Sequence, residues 1–162
     1  MPVLCKLHTL EEALQAAEAL RAHGKRIVMT NGCYDLLHPG HIVHLQQARD
    51  LADALFVAMN SDRSVRELKG PSRPVYNEMQ RALALSALEC VEVVLVFDAL
   101  SPLQVMAALR PEVYVKGGDY TIDTINQEER ALLESLGAEI HLLPLVEDFS
   151  TTGLIERLQR RS

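Results

Sequence analysis

His38-Pro39-Gly40-His41 sets two imidazoles three positions apart, where a β-type run gives way to helical spacing. Residues three apart at a helix start are neighbours, so both rings can address one ligand. The first turn of a helix also presents unpaired N–H groups and a partial positive charge, which suits an anion. Two imidazole N–H donors added to that turn make a cradle for phosphate oxygens, one that grips harder as negative charge builds in a transition state. Gly40 removes a side chain where a phosphate would meet the backbone. The simpler reading of the same residues is a pair of loop histidines beside an ordinary helix cap.

His38, His41 and His44 also form a His-x-x-His-x-x-His string. Successive steps of three drift around a helix, no Cys or Glu falls inside the string, and His-Glu-x-x-His is absent, so no side-chain metal site is expected. His44 is expected on the helix surface. Ser150-Thr151-Thr152 offers hydroxyl and backbone donors at a second helix start, although Ser and Thr are also ordinary N-caps. Lys116-Gly117-Gly118-Asp119 follows a buried run, with glycines that permit tight or left-handed backbone; a plain turn reads the same way. Arg66, Lys69, Arg73 and Arg81 could add cations around a phosphate, while singly each is an ordinary surface charge.

These residues need a scaffold that gathers them. Thr9-Leu10-Glu11-Glu12 is a capping box, followed by Leu10, Leu14, Ala17 and Leu20 at helical spacing, which predicts a helix over about 10–23 ended by Gly24. Arg26–Thr30 reads as a strand, residues 41–51 as a helix, and Ala54–Met59 as a second buried strand. Residues 60–77 are polar and carry Gly70, Pro71 and Pro74, so a long connection or mobile loop is expected. A helix over 78–89, a strand over 91–97 and a helix through Leu109 follow, with Ser101-Pro102 as N-cap and first-turn residue. Val113–Val115 is a buried strand, residues 126–136 a helix, and Ile140–Leu143 the last strand before a final helix opened by Ser150. This alternation predicts an α/β domain with a parallel sheet of about five strands and helices on both faces. Ligands of such sheets sit beyond the carboxyl ends of the strands, where the loops 30–41, 60–62, 116–120 and 147–152 fall.

Composition sets limits on function. The chain has 162 residues, 48% hydrophobic and 23% charged, the balance of a globular protein, and one domain over 1–162 is expected. A formal net charge of −6 argues against a nucleic acid held by bulk charge and leaves open a small anion in a local pocket. Cys5, Cys33 and Cys90 include no Cys-x-x-Cys pair and read as free thiols of a reducing compartment. The first residues lack a leader pattern, and no apolar run approaches the roughly 18 residues of a membrane span, so a cytoplasmic protein without a membrane partner is expected.

The segment Gly32-Cys33-Tyr34-Asp35-Leu36-Leu37-His38-Pro39-Gly40-His41 resembles the His-x-Gly-His signature of the cytidylyltransferase-like nucleotidyltransferase superfamily. Ser150-Thr151-Thr152-Gly153-Leu154-Ile155 is similar to its C-terminal Ser-Thr-Thr-x-x-Ile signature. The similarity runs from about Val28 to Leu158 and takes in Asn60-Ser61-Asp62, Arg73-Pro74-Val75, Arg81 and Val115-Lys116-Gly117-Gly118-Asp119-Tyr120. That last stretch looks most like the D-glycero-β-D-manno-heptose 1-phosphate adenylyltransferases.

The resemblance implies a Rossmann-like nucleotidyltransferase fold and transfer of AMP from ATP to a sugar 1-phosphate, with release of pyrophosphate. Mg²⁺ would ride on the triphosphate. Catalysis would rest on alignment and charge stabilisation, since the acceptor phosphate is already ionised near neutral pH. It implies that His38 and His41 stabilise charge at the α-phosphate and that Lys69 reaches the phosphates from a mobile loop. Arg81, Ser150, Thr151 and Thr152 would brace the triphosphate tail. Asn31, Gly32, Tyr34, Asp35, Gly40, Lys116, Gly118 and Asp119 would line the nucleotide site, with Asp62 and Arg73 toward the acceptor. A homodimer or larger homo-oligomer is implied, and a separate sugar kinase, because Met1 opens the chain shortly before the domain.

Glycerol 3-phosphate cytidylyltransferases carry an Arg shortly before Ser-Thr-Thr, where this chain has Glu147-Asp148-Phe149, which argues against CTP. Gly153 stands where some heptose enzymes have Asn, and Cys33-Tyr34 replaces a commoner Val-Phe. A CTP-dependent enzyme acting on an alditol phosphate and a nucleotide-binding regulatory module stand as the alternatives.

Overall fold

A computed structural model describes residues 5–144, 151 and 153–155. In chain order the elements are β1 (Leu7–His8), α1 (Leu10–Ala22), β2 (Ile27–Gly32), α2 (Pro39–Arg49), β3 (Ala54–Asn60) and α3 (Asp62–Lys69). They continue with α4 (Glu78–Ser86), β4 (Val93–Phe97), α5 (Leu103–Leu109), β5 (Val113–Gly117), α6 (Gln127–Ser135) and β6 (Glu139–Leu143).

The described strands form one sheet in the order β1-β4-β3-β2-β5-β6, and every neighbouring pair is parallel. All seven residues of β3 are buried, as expected of a central parallel strand covered on both faces. Side chains alternate between two cores. Ile27, Met29, Phe56, Leu95 and Tyr114 pack against Ala13 and Ala17 of α1, Met106 and Leu109 of α5, and Leu133 of α6. Val28, Leu55, Val57, Val94 and Val115 pack on the opposite face against Leu45 and Ala48 of α2 and Ala82 and Leu85 of α4.

The order in which strands are added reverses between β2 and β5. From β2 the path crosses to β3 and then β4; it returns to the other side of β2 to form β5, which pairs with it at Val28↔Val113, Met29↔Tyr114 and Thr30↔Val115. Helices leaving β2 and β5 go to opposite faces, which opens a crevice beyond the carboxyl ends of these two strands.

The five expected strands are present, and a sixth, β1, pairs with the outer edge of β4 at Leu7↔Val94 and His8↔Leu95. Residues 60–77, expected as a loop, contain the helix α3. Ser61 caps it by accepting a hydrogen bond from the Ser64 N–H (3.1 Å), and only Ser64 and Val65 are buried, so its polar sequence hides a helix with a narrow apolar contact. Thr9 and Glu12 form the expected capping box of α1. Ser101 does not cap α5: Pro102 is the cap residue, and the Ser101 hydroxyl donates to Glu129 instead (2.8 Å).

Candidate active site

A cavity of about 510 Å³ occupies the crevice beyond β2 and β5. His38 is the N-cap of α2 in extended conformation, and Pro39 begins the helix, so the turn that carries the histidines opens the helix as the spacing predicts. The His38 and His41 rings stack with centroids 3.8 Å apart and planes 26° apart, and Tyr34 tilts against His41 at 5.4 Å. Burial, with the His38 and His44 rings adding to it, pushes the His41 imidazole down to about 4, while a backbone hydrogen bond at Leu36 opposes the shift. Burial also lowers His38 and His44. Near neutral pH the rings are therefore uncharged, and an arriving anion meets imidazole donors that can take up protons as it binds.

Asn31, Gly32, Tyr34, Asp35 and Gly40 line the cavity with the histidines. Tyr34 sits in the left-handed region (φ 49°), which folds its ring over Gly32, where a Cβ would lie 3.1 Å from it. Asp35 is 2% exposed and engaged with protein: it accepts from the N–H groups of Val75 (2.7 Å) and Tyr76 (3.0 Å) and pairs with the Arg73 guanidinium. Asp35 and Arg73 thus tie the chain before α4 to the turn before α2.

Arg81 lies outside the cavity lining. Its side chain has no exposure, and it donates to the carbonyls of Tyr76 (3.1 Å), Cys33 (2.6 Å) and Asn60 (2.8 Å) and to the Asp62 carboxylate (2.7 Å). These bonds clamp the ends of β2 and β3 to the start of α3 and leave the guanidinium engaged on each of its nitrogens. Asp62 is spent on the same clamp. Gly118 and Asp119 also fall outside the lining; Gly118 (φ 143°) lies under the Tyr120 ring, and Asp119 is exposed.

Lys69 reaches the cavity from the last turn of α3, ahead of Gly70 (φ 98°), and Thr151 reaches it from the C-terminal segment, its hydroxyl donating to the Leu36 carbonyl at 3.5 Å. Thr151, Gly153, Leu154 and Ile155 are helical; Ser150 and Thr152 lie outside the described residues. Lys116 lines the opposite wall, its ammonium 3.4 Å from the Tyr114 hydroxyl and 3.5 Å from the Glu129 carboxylate.

Sequence reasoning missed several lining residues. His44, expected on the surface, turns inward: its Nε2 is 3.3 Å from the Thr30 hydroxyl and its ring covers Gly117. One more step of three carries the ring toward β5, and the missing side chain at Gly117 is the signal that could have shown it. Glu129 looks like any acid of a solvated helix face, yet it is 4% exposed. Cys33, Asn60, Leu68, Leu100, Tyr120 and Pro144 also line the cavity, and burial raises the Cys33 thiol above its ordinary value. Among the described residues no group of three or more His, Cys, Asp or Glu is arranged to hold a metal ion. A second cavity of about 450 Å³ lies at the amino ends of the strands, where Arg21 and Arg26 are paired with Glu112 and Glu139.

A parallel sheet whose strand order reverses at a crevice, with a paired-histidine helix start at its mouth, defines a Rossmann-like α/β protein. The chain belongs to the Cytidylyltransferase-like family, whose model matches residues 29–157. It is 47% identical over 156 residues to the bifunctional protein HldE of Syntrophotalea carbinolica, covering 96% of this chain and 31% of that protein. HldE of Koribacter versatilis is 49% identical over 152 residues, 94% of this chain and 31% of the relative. The chain therefore spans about a third of the length of these curated relatives. The crystal structure of the lipopolysaccharide core biosynthesis protein from Thermoplasma volcanium shares the fold, with a TM-score of 0.62 at 24% identity over 76% of this chain and 98% of that one. Among the described residues no helix is long and apolar enough to cross a membrane.

Proposed function

We propose that this chain transfers AMP from ATP to a sugar 1-phosphate, D-glycero-β-D-manno-heptose 1-phosphate, and releases pyrophosphate. The observation that carries this reading is the stacked His38–His41 pair at the amino terminus of α2, facing a cavity large enough for a nucleotide. Likeness to HldE over nearly the whole chain supports the heptose acceptor.

In the reaction an oxygen of the acceptor phosphate attacks the α-phosphorus, a P–O bond forms, and the bond from the α-phosphorus to the bridging oxygen of pyrophosphate breaks. No proton need be removed from the nucleophile. The work left to the protein is alignment and stabilisation of charge on the oxygens around phosphorus. His38 and His41 supply donors at that point, and Lys69 and the Ser150–Thr152 segment hold the triphosphate. Lys116, Asn31, Gly32 and Tyr34 shape the nucleotide wall. Arg81 and Asp62 act through the strand ends they clamp, and Asp35 acts through Arg73 on the acceptor side. Mg²⁺ arrives as part of the MgATP substrate and offsets phosphate charge.

The reaction would run in the cytoplasm, downstream of a kinase-class step that makes the sugar phosphate. Assembly into a homodimer accords with exposed Val75, Tyr76, Met79 and Leu83.

The test is pyrophosphate release with Mg²⁺, crossing ATP and CTP against heptose 1-phosphate and glycerol 3-phosphate. Release only with ATP and the heptose is the expected result. Release with CTP and glycerol 3-phosphate would move the chain to the cytidylyl branch, and nucleotide binding without release would make it a regulatory module.

A further inference from the structure

Glu129 is the buried acid of the cavity wall that the proposed mechanism leaves without work. It stands in the first turn of α6, whose cap Asn126 accepts from the N–H groups of Glu128 (2.9 Å) and Glu129 (3.2 Å), so its backbone is fixed. Its side chain is 6% exposed. Oε1 accepts a bond of 2.8 Å from the Ser101 hydroxyl, which comes from the loop before α5. Oε2 faces the Lys116 ammonium at 3.5 Å.

A carboxylate removed from water is costly unless a charge or hydrogen bonds compensate it. Here a hydroxyl satisfies one oxygen, and Lys116 is the compensating cation. From the lysine's side, Glu129 is one wall of a cage. The Tyr114 hydroxyl is 3.4 Å from Nζ and donates to Asn31 (2.6 Å), and the Tyr120 ring centroid lies 5.9 Å away. Charge-assisted N–H···O bonds run about 2.7–2.9 Å, so neither oxygen contact of Lys116 is a tight one. The ammonium is placed without being consumed, and donors remain for an anionic oxygen in the cavity.

We propose that Glu129 is a positioning residue: its charge holds the Lys116 ammonium on the cavity wall, preformed for a phosphate oxygen of the nucleotide. Ser101 in turn holds Glu129, so the loop before α5 and the first turn of α6 jointly set where that lysine stands. A flexible lysine that is already placed loses less freedom when its ligand arrives, which favours binding. The inference rests on the proposed reading of Lys116 as a nucleotide contact.

The experiment compares Glu129→Gln, Glu129→Asp, Lys116→Met and the double variant Glu129→Gln/Lys116→Met. Calorimetry measures MgATP affinity, and amine-reactive ester labelling of Lys116, mapped by mass spectrometry without nucleotide, reports on the cage. Glu129→Gln keeps the shape and the acceptor for Ser101 but loses the charge; its ATP affinity should fall about ten- to a hundredfold, the scale of one charged hydrogen bond. Glu129→Asp should retain more affinity than Gln, whereas a packing role reverses that order. The double variant should be no worse than Lys116→Met, because the two residues act as one unit. Labelling of Lys116 should rise severalfold in Glu129→Gln. Losses that multiply in the double variant, a Gln variant that binds better than Asp, or unchanged labelling would overturn the proposal. If the wild type binds no ATP, the functional reading fails by itself, and the labelling result still decides whether Glu129 holds Lys116.

Discussion

The imidazole of His44 rests on Gly117 so closely that a Cβ there would stand 2.7 Å from its Cε1 and 2.8 Å from its Nδ1. One residue belongs to α2 and the other to the end of β5, so the contact bridges the two sides of the crevice where the sheet changes direction. Real Cβ atoms do not approach ring atoms this closely, and a side chain at 117 must displace the ring.

Gly117→Ala is therefore expected to destabilise the protein by about 1–3 kcal/mol, the usual scale of overpacking in a well-filled site. Adding His44→Ala should restore most of the loss. Urea unfolding of the single and double variants measures both, and a single variant as stable as wild type would show that the ring swings aside freely.

His41→Ala should reduce turnover about 10²–10³-fold, the scale for removing one preorganised donor from developing charge, and leave the fold intact. Steady-state kinetics beside a thermal melt checks this. A nearly unchanged rate would remove His41 from the reacting centre.

Acid should weaken the fold through the same histidine. The folded-state value of about 4 lies below the ordinary 6.5, so between them the unfolded chain binds a proton that the folded chain refuses. Stability from this group is present above about pH 6.5 and is lost as pH falls toward 4. Burial lowers His38 and His44 as well, which gives the same sign. Unfolding free energies measured from pH 4.5 to 7.5 should rise with pH, more shallowly in His41→Gln. An identical slope in that variant would contradict the assignment.

Arg81→Met keeps bulk but strips a guanidinium from three carbonyls and a carboxylate. A loss of about 3–5 kcal/mol is expected, as for breaking a buried ion pair from one side. A large fall in melting temperature supports the clamp. Normal stability with lost ATP binding would return Arg81 to direct contact with ligand.

Lys69→Ala should lower turnover more than ATP affinity, if the end of α3 closes only on the reacting complex. Comparing kcat with the calorimetric affinity for MgATP decides it; equal losses would mean that Lys69 binds ground state and transition state alike.

Much of this arrangement is legible in the sequence, for physical reasons that also mark where reading fails. Strands β2 to β6 are short runs dominated by apolar residues between helical stretches, and a strand covered on both faces has that signature. β1 has two residues, too few to show a period, and exists because β4 offers an edge. α3 reads as loop because Asp62, Arg63, Arg66, Glu67 and Lys69 outnumber its one buried aliphatic residue, Val65. The histidine pair is visible through its spacing and its helix start. The burial of Arg81, expected from sequence to brace a triphosphate, and of Glu129 is not, since a charge buried by partners far along the chain looks the same in sequence as a charge in water. The sequence offers Asp35 as a candidate, and it lines the cavity, but its partners at 73, 75 and 76 come only from the fold.

The pairing of β2 with β5 has a consequence for how the protein comes into being. Three register pairs join a strand made early to one made late, with β3 and β4 and their helices synthesised in between. A nascent chain that has emerged only through β4 already carries His38 and His41, but the flank of β2 that β5 will cover is bare. Lys116, Glu129 and Gly117 do not yet exist. Such non-local closure is the slow kind of folding event. The cavity is thus a product of completion: a ribosome stalled before residue 113 holds a chain with both histidines and one side of the cavity, but without the opposite wall that Lys116, Gly117 and Glu129 supply.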